Sequence, residues 1–384
     1  MAPNEATSEP LGRSLRVVDA GDFERVGLYD AAAPHAAQQL ELLEYLVALG
    51  ATLEDLVEYG DQLPALASVV ALRGGPAMTL AEAATRSGLP EDQIRQFTRA
   101  AGFPTPGPQD RVFTDGFVTL ATAITAAEAL FGEEAVLQLV RVMGAAMARL
   151  ADAIVSAFLV NIEPGARRED PIGLGVAWAN ANAAALLPVV VQTLDMLLRQ
   201  HLIVSQRTIL GEIADAAYET QRLCVGFIDL VGSTALAQRL STTEMGVVLR
   251  DFEHLASDTV TDAGGRVVKL IGDEVLFTAP DAGAGCTIAL RLAAVYRDHP
   301  TIPAARAGLA IGEVMLRDGD VFGPVVNLAA RVVAVAGPDE VVVPADLAAE
   351  VDAASSSLGP QSLKGFPAPI ELCRLQTPPH TEAG

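Results

Sequence analysis

Cysteine and basic residues are scarce in this chain of 384 residues, and each shortage excludes a class of protein. The three cysteines, Cys224, Cys286 and Cys373, are odd in number, far apart and without a CxxC pair. They predict buried thiols of a reducing compartment, not a disulfide framework or a zinc site. The 26 basic residues stand against 48 acidic ones, a formal net charge of −22. That excess disfavours nucleic acids and anionic lipid surfaces as partners.

The sequence also lacks an evident signal peptide and an isolated membrane span. Residues 1–30 do not show a basic stretch followed by an apolar one. The stretch that looks most apolar, Ala181–Leu198, contains Pro188, Gln192 and Asp195, which make it too polar for a bilayer crossing of about 20 residues. We therefore expect a cytoplasmic protein with no membrane span.

Apolar residues make up 51% of the chain and aromatic residues only 5%, so the core has to be built mostly from Ala, Val and Leu. The length predicts two domains at roughly 100 to 200 residues each. In the first half, apolar residues three and four apart, such as Val140, Met143 and Met147, indicate helices. From Leu223 onward short β-branched runs alternate with Ala- and Leu-rich stretches, which indicates an α/β sandwich.

These patterns predict a domain order. We expect a loose N-terminus over residues 1–15, an all-α domain over 16–185, a helical linker over 186–222, an α/β domain over 223–376 and a loose C-terminus over 377–384. The linker pattern is interrupted by Pro188 and leads straight into the first strand. The strands predicted in the α/β domain are Leu223–Leu230, Arg266–Ile271, Val275–Thr278, Arg306–Leu316 and Glu340–Val343. The predicted helices there are Thr234–Arg239, Glu244–Ala263, Ala284–Asp298 and Val325–Ala336.

Residues Thr79–Phe97 have the pattern of a helix-turn-helix, with a Gly-containing turn between two helical stretches. Their arginines are balanced by acidic neighbours, so the segment has no basic face for phosphates. A plain helical corner is favoured over a DNA-binding regulator.

The segment Val225-Gly-Phe-Ile-Asp-Leu-Val-Gly-Ser-Thr234 combines an apolar strand, Asp229 at its end and a Gly-Ser-Thr turn that opens a helix. A carboxylate beside such a turn can hold a metal-bound polyphosphate. The alternative is an ordinary strand-turn-helix with Ser233 or Thr234 as the N-cap.

A second segment, Val267-Val-Lys-Leu-Ile-Gly-Asp-Glu-Val-Leu-Phe277, predicts a β-hairpin with Asp273 at its tip. A hairpin Asp most often serves the turn itself. Placed beside Asp229, however, it would supply the second carboxylate of a two-metal site for in-line phosphoryl displacement.

The third segment is Gly319-Asp-Val-Phe-Gly-Pro-Val-Val-Asn-Leu-Ala-Ala-Arg331. Asn327 and Arg331 are four residues apart on a predicted helix and therefore share a face. The Arg guanidinium offers a fixed fork of donors for phosphate oxygens. The alternative is a solvated helix face.

Together the three segments resemble the class III nucleotide cyclase family over about residues 223–375, including the closing hairpin Leu363-Lys-Gly-Phe-Pro-Ala-Pro-Ile-Glu-Leu372. The resemblance implies a ferredoxin-like catalytic domain that converts ATP to 3′,5′-cyclic AMP and pyrophosphate. It also implies two divalent ions, Mg²⁺ or Mn²⁺, per site.

The resemblance assigns a role to each matching residue. Asp229, the Leu230 backbone and Asp273 are the expected metal ligands, and the turn Gly232, Ser233 and Thr234 is the expected phosphate loop. Lys269 and Asp320 are the expected adenine-reading pair, Asn327 orients the ribose, and Arg331 stabilises the transition state.

Adenine has an acceptor at N1 and a donor at its 6-amino group, which the Lys269 ammonium and the Asp320 carboxylate match. Guanine has the opposite pattern, so ATP is expected over GTP. The family builds its sites across a two-fold dimer, with the metal carboxylates from one subunit and the other four residues from its partner. A homodimer of this chain would therefore contain two sites.

The helical first half together with a cyclase is similar to the mycobacterial pH-responsive adenylyl cyclases, which have an N-terminal helical regulatory domain. That likeness implies regulation by a proton, a small molecule or a lipid. His201 is the candidate pH switch, because an unperturbed His changes charge near pH 6.5. The alternative function is a silent module that binds ATP and metal and only signals. An intact Arg331 weighs against it, since binding alone needs no transition-state arginine.

Overall fold

The computed structural model describes residues 18–73, 75–166, 170, 172–210, 220–351 and 354–376. The chain divides into two compact units, residues 1–211 and residues 212–384. The first unit is helical and the second is built on a mixed sheet. The helical character expected for the first half and the α/β character expected for the second are both observed.

The described part of the first unit is built from helices, with one isolated β-bridge between Met78 and Phe113. The helices are α1 (Ala20–Arg25), α2 (Ala36–Leu49), α3 (Leu53–Tyr59), α4 (Leu63–Leu72), α5 (Leu80–Ser87), α6 (Glu91–Ala100), α7 (Asp115–Phe131), α8 (Glu133–Asn161), α9 (Glu163–Ala166), α10 (Leu174–Ala184) and α11 (Leu187–Leu210). Helices α1, α3 and α5 each begin with a capping box. In a capping box, the N-cap side chain and the third helical residue satisfy each other's backbone N–H groups.

The largest core of the helical unit lies between α2, α4 and α10. Leu43, Leu46, Leu66 and Ala177 are completely buried there. Two smaller clusters hold α5 to α8 together around Ile94 and Leu137. The unit therefore buries its apolar side chains in several small cores.

The expectation that Pro188 interrupts a long helix is wrong. Helix α10 ends at Ala184 and α11 begins at Leu187, so Pro188 lies in the first turn of α11. A proline is tolerated there because its missing N–H would have no partner within the helix. Residues 211–219 lie outside the described residues, so the continuous entry into the first strand stays a prediction.

Two stretches of the helical unit are long and apolar enough to cross a membrane, by length and composition only. They are Glu133–Ala166 and Leu174–Ser205, and both reach a mean hydropathy of 1.6 in an 18-residue window. Ala181–Leu198 lies within the second of these stretches and α8 lies within the first, so two regions of the helical unit reach the same hydropathy. The absence of a membrane span therefore stays a prediction.

The second unit alternates strands and helices. Its strands are β1 (Thr220–Leu230), β2 (Arg266–Ile271), β3 (Glu274–Ala279), β4 (Ala305–Arg317), β5 (Asp320–Phe322), β6 (Val341–Pro344), β7 (Ser355–Gln361) and β8 (Ile370–Leu375). Its helices are α12 (Ser233–Ala237), α13 (Thr242–Asp262), α14 (Ala282–Asp298), α15 (Pro324–Val332) and α16 (Ala345–Glu350). All five predicted strands and all four predicted helices are present; β2 has the predicted bounds, and the ends of the others differ by at most four residues.

The sheet has the strand order β2-β3-β1-β4-β6-β8-β7, with β5 paired to β4. Strands β1 to β4 follow a β-α-β-β-α-β connection, and each neighbouring pair among them is antiparallel. The β4–β6 pair is parallel. Strand β1 is therefore central, and its carboxyl end at Asp229 lies between the ends of β3 and β4.

Both faces of this sheet are covered, which explains the apolar sequence of β1. Cys224 and Ile228 face a core formed with α13 and α14, whereas Val225 and Phe227 face a core formed with α15. Alternate side chains of a strand point to opposite faces, so a strand buried on both sides needs a continuous apolar run. This burial holds the end of β1 rigidly.

Candidate active site

The two predicted metal carboxylates lie at neighbouring strand ends. Asp229 is paired in register with Glu274, the first residue of β3. The Leu230 N–H donates to the Asp273 carbonyl at 3.2 Å. The intervening Gly272 has φ 65°, a conformation that suits a two-residue hairpin turn. The turn therefore delivers Asp273 to the end of β1.

The sequence interpretation did not include Arg306, which lies against Asp229. Its Nε and Nη2 atoms both donate to Asp229 Oδ2, at 2.8 Å and 2.5 Å. The two residues are paired in register between β1 and β4. A cation near the start of an otherwise apolar strand was the signal in the sequence.

Glu274 completes an acidic cluster. Partial burial raises the pKa of its carboxyl to about 7, with further contributions from the negative charges of Asp229 and Asp273, while Arg306 opposes the shift. Arg306 is hydrogen-bonded to Asp229 alone among the described residues of this cluster. Three acidic side chains with one neighbouring cation make this end of the sheet negative.

The residues at these strand ends fit a divalent cation. Among the described residues, no group of three or more His, Cys, Asp or Glu side chains has the geometry to hold a metal on its own. Mg²⁺ is commonly bound by one or two carboxylates together with substrate phosphates and waters. Hard oxygen donors and uncompensated negative charge suit such an ion, so Asp229, Asp273 and the neighbouring backbone are chemically appropriate ligands.

The Gly-Ser-Thr turn follows directly after this cluster. Gly232 has φ 76° and is itself the N-cap of α12, with no side-chain cap. The alternative in which Ser233 or Thr234 caps the helix is therefore wrong. A glycine N-cap leaves the Ser233 and Thr234 hydroxyls without a capping role.

Lys269 and Asp320 are brought together from positions 51 residues apart. The Lys269 Nζ atom lies 2.5 Å from Asp320 Oδ2, and the Val321 N–H donates to Asp320 Oδ1 at 2.8 Å. Partial burial alone would raise the pKa of the Asp320 carboxyl, but these two hydrogen bonds outweigh it and lower the pKa. The pair is therefore charged and preformed.

Asn327 and Arg331 occupy one exposed face of α15. Ala329 and Val332 on the opposite face are buried against the sheet. Within the described residues, Arg331 makes no ion pair, and neither Asn327 nor Arg331 hydrogen-bonds to Asp229 or Asp273. One chain therefore presents the carboxylate cluster, the Lys–Asp pair and these two side chains as separate groups.

His201 lies exposed on α11 in the helical unit. On the same helix, Asp195 and Arg199 form an ion pair at 2.9 Å.

The predicted helix-turn-helix is present as α5 and α6, with Gly88 in the left-handed conformation at the end of α5. Arg86 pairs with Asp115, and Arg95 pairs with Glu91. These carboxylates neutralise the cations that a phosphate backbone would need.

The model of the adenylate cyclase regulatory domain family matches residues 24–202. An uncharacterized protein of Mycobacterium tuberculosis is 35% identical over 94% of this chain and 96% of its own length. An adenylate cyclase of Streptomyces coelicolor is 35% identical over 70% of each chain. A pH-sensitive adenylate cyclase of M. tuberculosis is 28% identical over 91% of this chain and 90% of its own length.

Proposed function

The chain belongs to the adenylate cyclase family and is an adenylate cyclase, a lyase that forms cyclic AMP; we propose how its residues perform and regulate that reaction. The observation that carries the proposal is the carboxylate cluster of Asp229, Asp273 and Glu274 at adjoining strand ends, beside a glycine-capped turn. Such a cluster repels a triphosphate unless a cation intervenes.

Asp229, Asp273 and the Leu230 backbone would hold two divalent ions, Mg²⁺ or Mn²⁺. When bound, such ions lower the pKa of a ribose 3′-hydroxyl and neutralise charge on the α-phosphate. The turn Gly232 to Thr234 supports the triphosphate through its outward backbone N–H groups. Arg306 balances the charge of Asp229 until a metal binds there.

Lys269 and Asp320 read the adenine ring. Their ion pair already holds a donor and an acceptor side by side, which complements adenine N1 and its 6-amino group. Guanine would place a donor opposite the Lys269 ammonium and an acceptor opposite the Asp320 carboxylate. We therefore propose ATP as the substrate. Asn327 orients the ribose, and Arg331 neutralises charge that develops as pyrophosphate leaves.

We propose that each site is shared across a homodimer. Asn327 and Arg331 are exposed and make no hydrogen bond to the carboxylate cluster within the described residues. Exposed side chains of one subunit are available to complete the site of another. A two-fold dimer would then contain two complete sites.

Mixing inactive variants tests this arrangement. Asp229→Ala and Arg331→Ala chains, combined in equal amounts, should recover about a quarter of wild-type activity, because half of the dimers are mixed and each has one intact site. The matched control mixes Asp229→Ala with Asp273→Ala, which should stay silent because one subunit supplies both carboxylates. Silence in the first mixture would contradict shared sites.

Purified full-length protein should convert ATP to cyclic AMP with Mn²⁺ or Mg²⁺. GTP should give at least tenfold less cyclic product under the same conditions. Equal use of both nucleotides would contradict the role of Lys269 and Asp320, whereas no product from either would contradict the function itself.

We propose that the helical domain regulates the reaction in response to pH through His201. The family match over residues 24–202 supports a regulatory role, and His201 is exposed on the last described helix of that unit. Imidazole is the side chain best suited to gain or lose a charge in the physiological pH range. Activity should rise as pH falls from 8 to 5, and His201→Ala should flatten the profile. An unchanged profile in the variant would exclude His201 as the switch.

We assign residues 16–185 to the regulatory domain, 186–222 to the linker and 223–376 to a ferredoxin-like catalytic domain. The division of the chain into units at residues 211 and 212 supports two domains. Three free cysteines, two of them buried, support a cytoplasmic location.

A further inference from the structure

The β4–β5 hairpin packs on the face of the sheet that carries α15, and its tip reaches the edge strand β2. The hairpin pairs Leu316 with Val321 and Arg317 with Asp320. Val321 is buried in the same core as Val225 of β1. Strands β3 and β1 separate β2 from β4 in the sheet. The contacts between the hairpin tip and β2 are therefore made by side chains across this face.

Two residues, Asp318 and Gly319, form the turn of this hairpin. Asp318 has φ 57° and Gly319 has φ 83°, and a two-residue hairpin turn with both φ angles positive is the type that an Asp-Gly pair favours. Glycine adopts this conformation without a steric penalty. The turn therefore fixes the direction of the Gly319 carbonyl and, one residue later, the start of the Asp320 side chain.

Two cations of β2 contact this tip. The Lys269 Nζ atom lies 2.5 Å from Asp320 Oδ2, and Arg266 Nη2 donates to the Gly319 carbonyl at 3.2 Å. Gly319 and Asp320 are adjacent in the chain, so both bonds act on one short segment. Lys269 belongs to the adenine-reading pair of the proposed function, whereas Arg266 has no role in it.

A β-bulge in β2 explains how both cations reach the hairpin. Side chains three residues apart on a regular strand point to opposite faces of the sheet. In β2 the register shifts between Val267 and Lys269, so the strand carries an extra residue there. Val267 packs against the core formed with α13 and α14, and Val268 packs against the core formed with α15. The bulge re-aims the strand and brings Arg266 and Lys269 to the same face.

The Asp320 carboxylate depends on Lys269 for much of its placement. Among the described residues its partners are the Lys269 ammonium and the Val321 N–H, and its side chain is 29% exposed. An ammonium that turns toward adenine N1 has to divide its donors between the base and the carboxylate. The bond from Arg266 to the Gly319 carbonyl involves neither reading group, so base binding leaves it intact.

We propose that Arg266 is a positioning residue for base recognition. Its bond to the Gly319 carbonyl holds the hairpin tip, so that Asp320 stays in place when Lys269 turns toward the base. This inference rests on the proposed function, in which Lys269 and Asp320 read adenine. Arg266 acts through Asp320 and does not touch the nucleotide. It therefore contributes to the preference for ATP over GTP and not to the chemical step.

Nucleotide binding by the full-length chain tests the proposal without turnover. The probes are α,β-methylene-ATP and α,β-methylene-GTP with Mg²⁺, because their methylene bridge prevents pyrophosphate from leaving. Calorimetry measures the Kd of each. Arg266→Met keeps a long side chain and removes the guanidinium. It should weaken binding of the ATP analogue about three- to tenfold, the usual effect of one hydrogen bond, and leave the GTP analogue unchanged.

Two further variants serve as controls. Arg266→Lys can still donate to the Gly319 carbonyl and should restore most of the preference for the ATP analogue. Arg250→Met removes another exposed cation, on α13, and should change the binding of neither analogue. Arg266 and Arg250 are both exposed, so these substitutions should leave folding intact.

A double variant separates positioning from a general effect of charge. Asp320→Ala should lower the preference for the ATP analogue, and adding Arg266→Met should lower it no further, because Arg266 acts through Asp320. Additive losses in the double variant would overturn the proposal. Equal weakening of both analogues in Arg266→Met would also overturn it, since the cation would then act on the triphosphate. So would an unchanged preference in Arg266→Met.

Turnover of ATP separates this proposal from the proposed function. Arg266→Met should raise the KM for ATP about three- to tenfold and leave kcat unchanged, and a loss confined to kcat would contradict a positioning role. A wild-type chain that makes no cyclic AMP would contradict the proposed function, while the binding preferences of the variants would still decide the role of Arg266. A wild-type chain without a preference for the ATP analogue would contradict the adenine-reading pair and this proposal together.

Discussion

The two units of this chain differ in where their apolar residues end up. In the α/β unit, four large apolar side chains are exposed among the described residues, namely Val247, Leu270, Ile271 and Phe322. In the helical unit, α8 and α11 are exposed along most of their apolar length. The α/β unit therefore buries most of its large apolar side chains within one chain, whereas the helical unit leaves two long apolar helices largely exposed.

The largest expected effect is confined to the α/β unit. Asp273→Ala should reduce cyclic AMP formation by about 10² or more, because it removes a carboxylate that places charge at the reacting phosphate. Asp258→Ala, which changes an exposed acid on α13, is the matched control and should have little effect. Steady-state assays of both variants measure this. An equal loss of activity in Arg149→Ala, which changes a residue on α8, would show that the effect is not confined to the α/β unit.

The next effect compares close backbone packing in both units. A Cβ atom at Gly308 would collide with the backbone nitrogen of Val333, and one at Gly144 would collide with the carbonyl oxygen of Ala101. Backbone atoms cannot turn aside, so each Gly→Ala change should cost about 1 to 3 kcal/mol of unfolding free energy. Gly246→Ala, in open space on α13, should instead stabilise by about 0.5 to 1 kcal/mol. Urea unfolding measures all three, and a neutral Gly308→Ala would contradict the packing.

The pH dependence of stability should differ in sign between the units. The pKa of Glu274 is raised to about 7 by burial and by Asp229 and Asp273. The folded chain therefore holds a proton that the unfolded chain releases near the usual pKa of about 4.3. The free energy of unfolding that this proton contributes is fully present at low pH and is lost as pH rises toward 7. Without metal, the Tm of the α/β unit should fall between pH 5 and 7.5, and Glu274→Gln should flatten that fall.

Asp55 gives the opposite sign in the helical unit. The side-chain hydrogen bond from Arg73 lowers the pKa of Asp55 to about 2. The free energy of unfolding that the charged Asp55 carboxylate contributes is present above the usual carboxyl pKa and is lost as pH falls toward 2. Asp55→Asn should therefore weaken the loss of stability of this unit below pH 4. The same slope in the variant would contradict the assignment.

The smallest effect should be equal in the two units. Thr79 and Ser241 are the N-caps of capping boxes on α5 and α13. Replacing either with Ala should cost about 1 kcal/mol, and Gly in its place should cost only a few tenths. Chemical denaturation of each variant measures these values. A marked difference would show that the two units also differ in their local helix energetics.

Much of the α/β unit could be predicted because its signals are local. Strand β2 was predicted with the bounds that the structure has, and β1, β3 and β4 differ at their ends by one to three residues. Strand β7, in contrast, has the sequence Ser-Ser-Ser-Leu-Gly-Pro-Gln and was missed. It exists because β8 pairs with it at the sheet edge, and such pairing leaves no apolar pattern in the sequence.

Site residues that lie within one sequence motif could be predicted from the sequence. Residues that only the folded chain brings together could not. Lys269 and Asp320 are 51 residues apart, and only the resemblance to the cyclase family joined them. Arg306 was missed because its partner, Asp229, is 77 residues away. Side-chain partnerships across a sheet depend on register, which no local pattern in this chain specifies.

The β2–β3 hairpin carries Lys269 and Asp273 on one short, tightly turned piece of chain. In the proposed dimer, Lys269 contacts the base in one site while Asp273 contacts the metal in the other. A hairpin held by Gly272 moves as one body, so nucleotide binding at the first site shifts a ligand of the second. The enzyme should therefore show cooperativity between its two sites, with a Hill coefficient different from one. A longer turn inserted at Gly272 should return that coefficient to one.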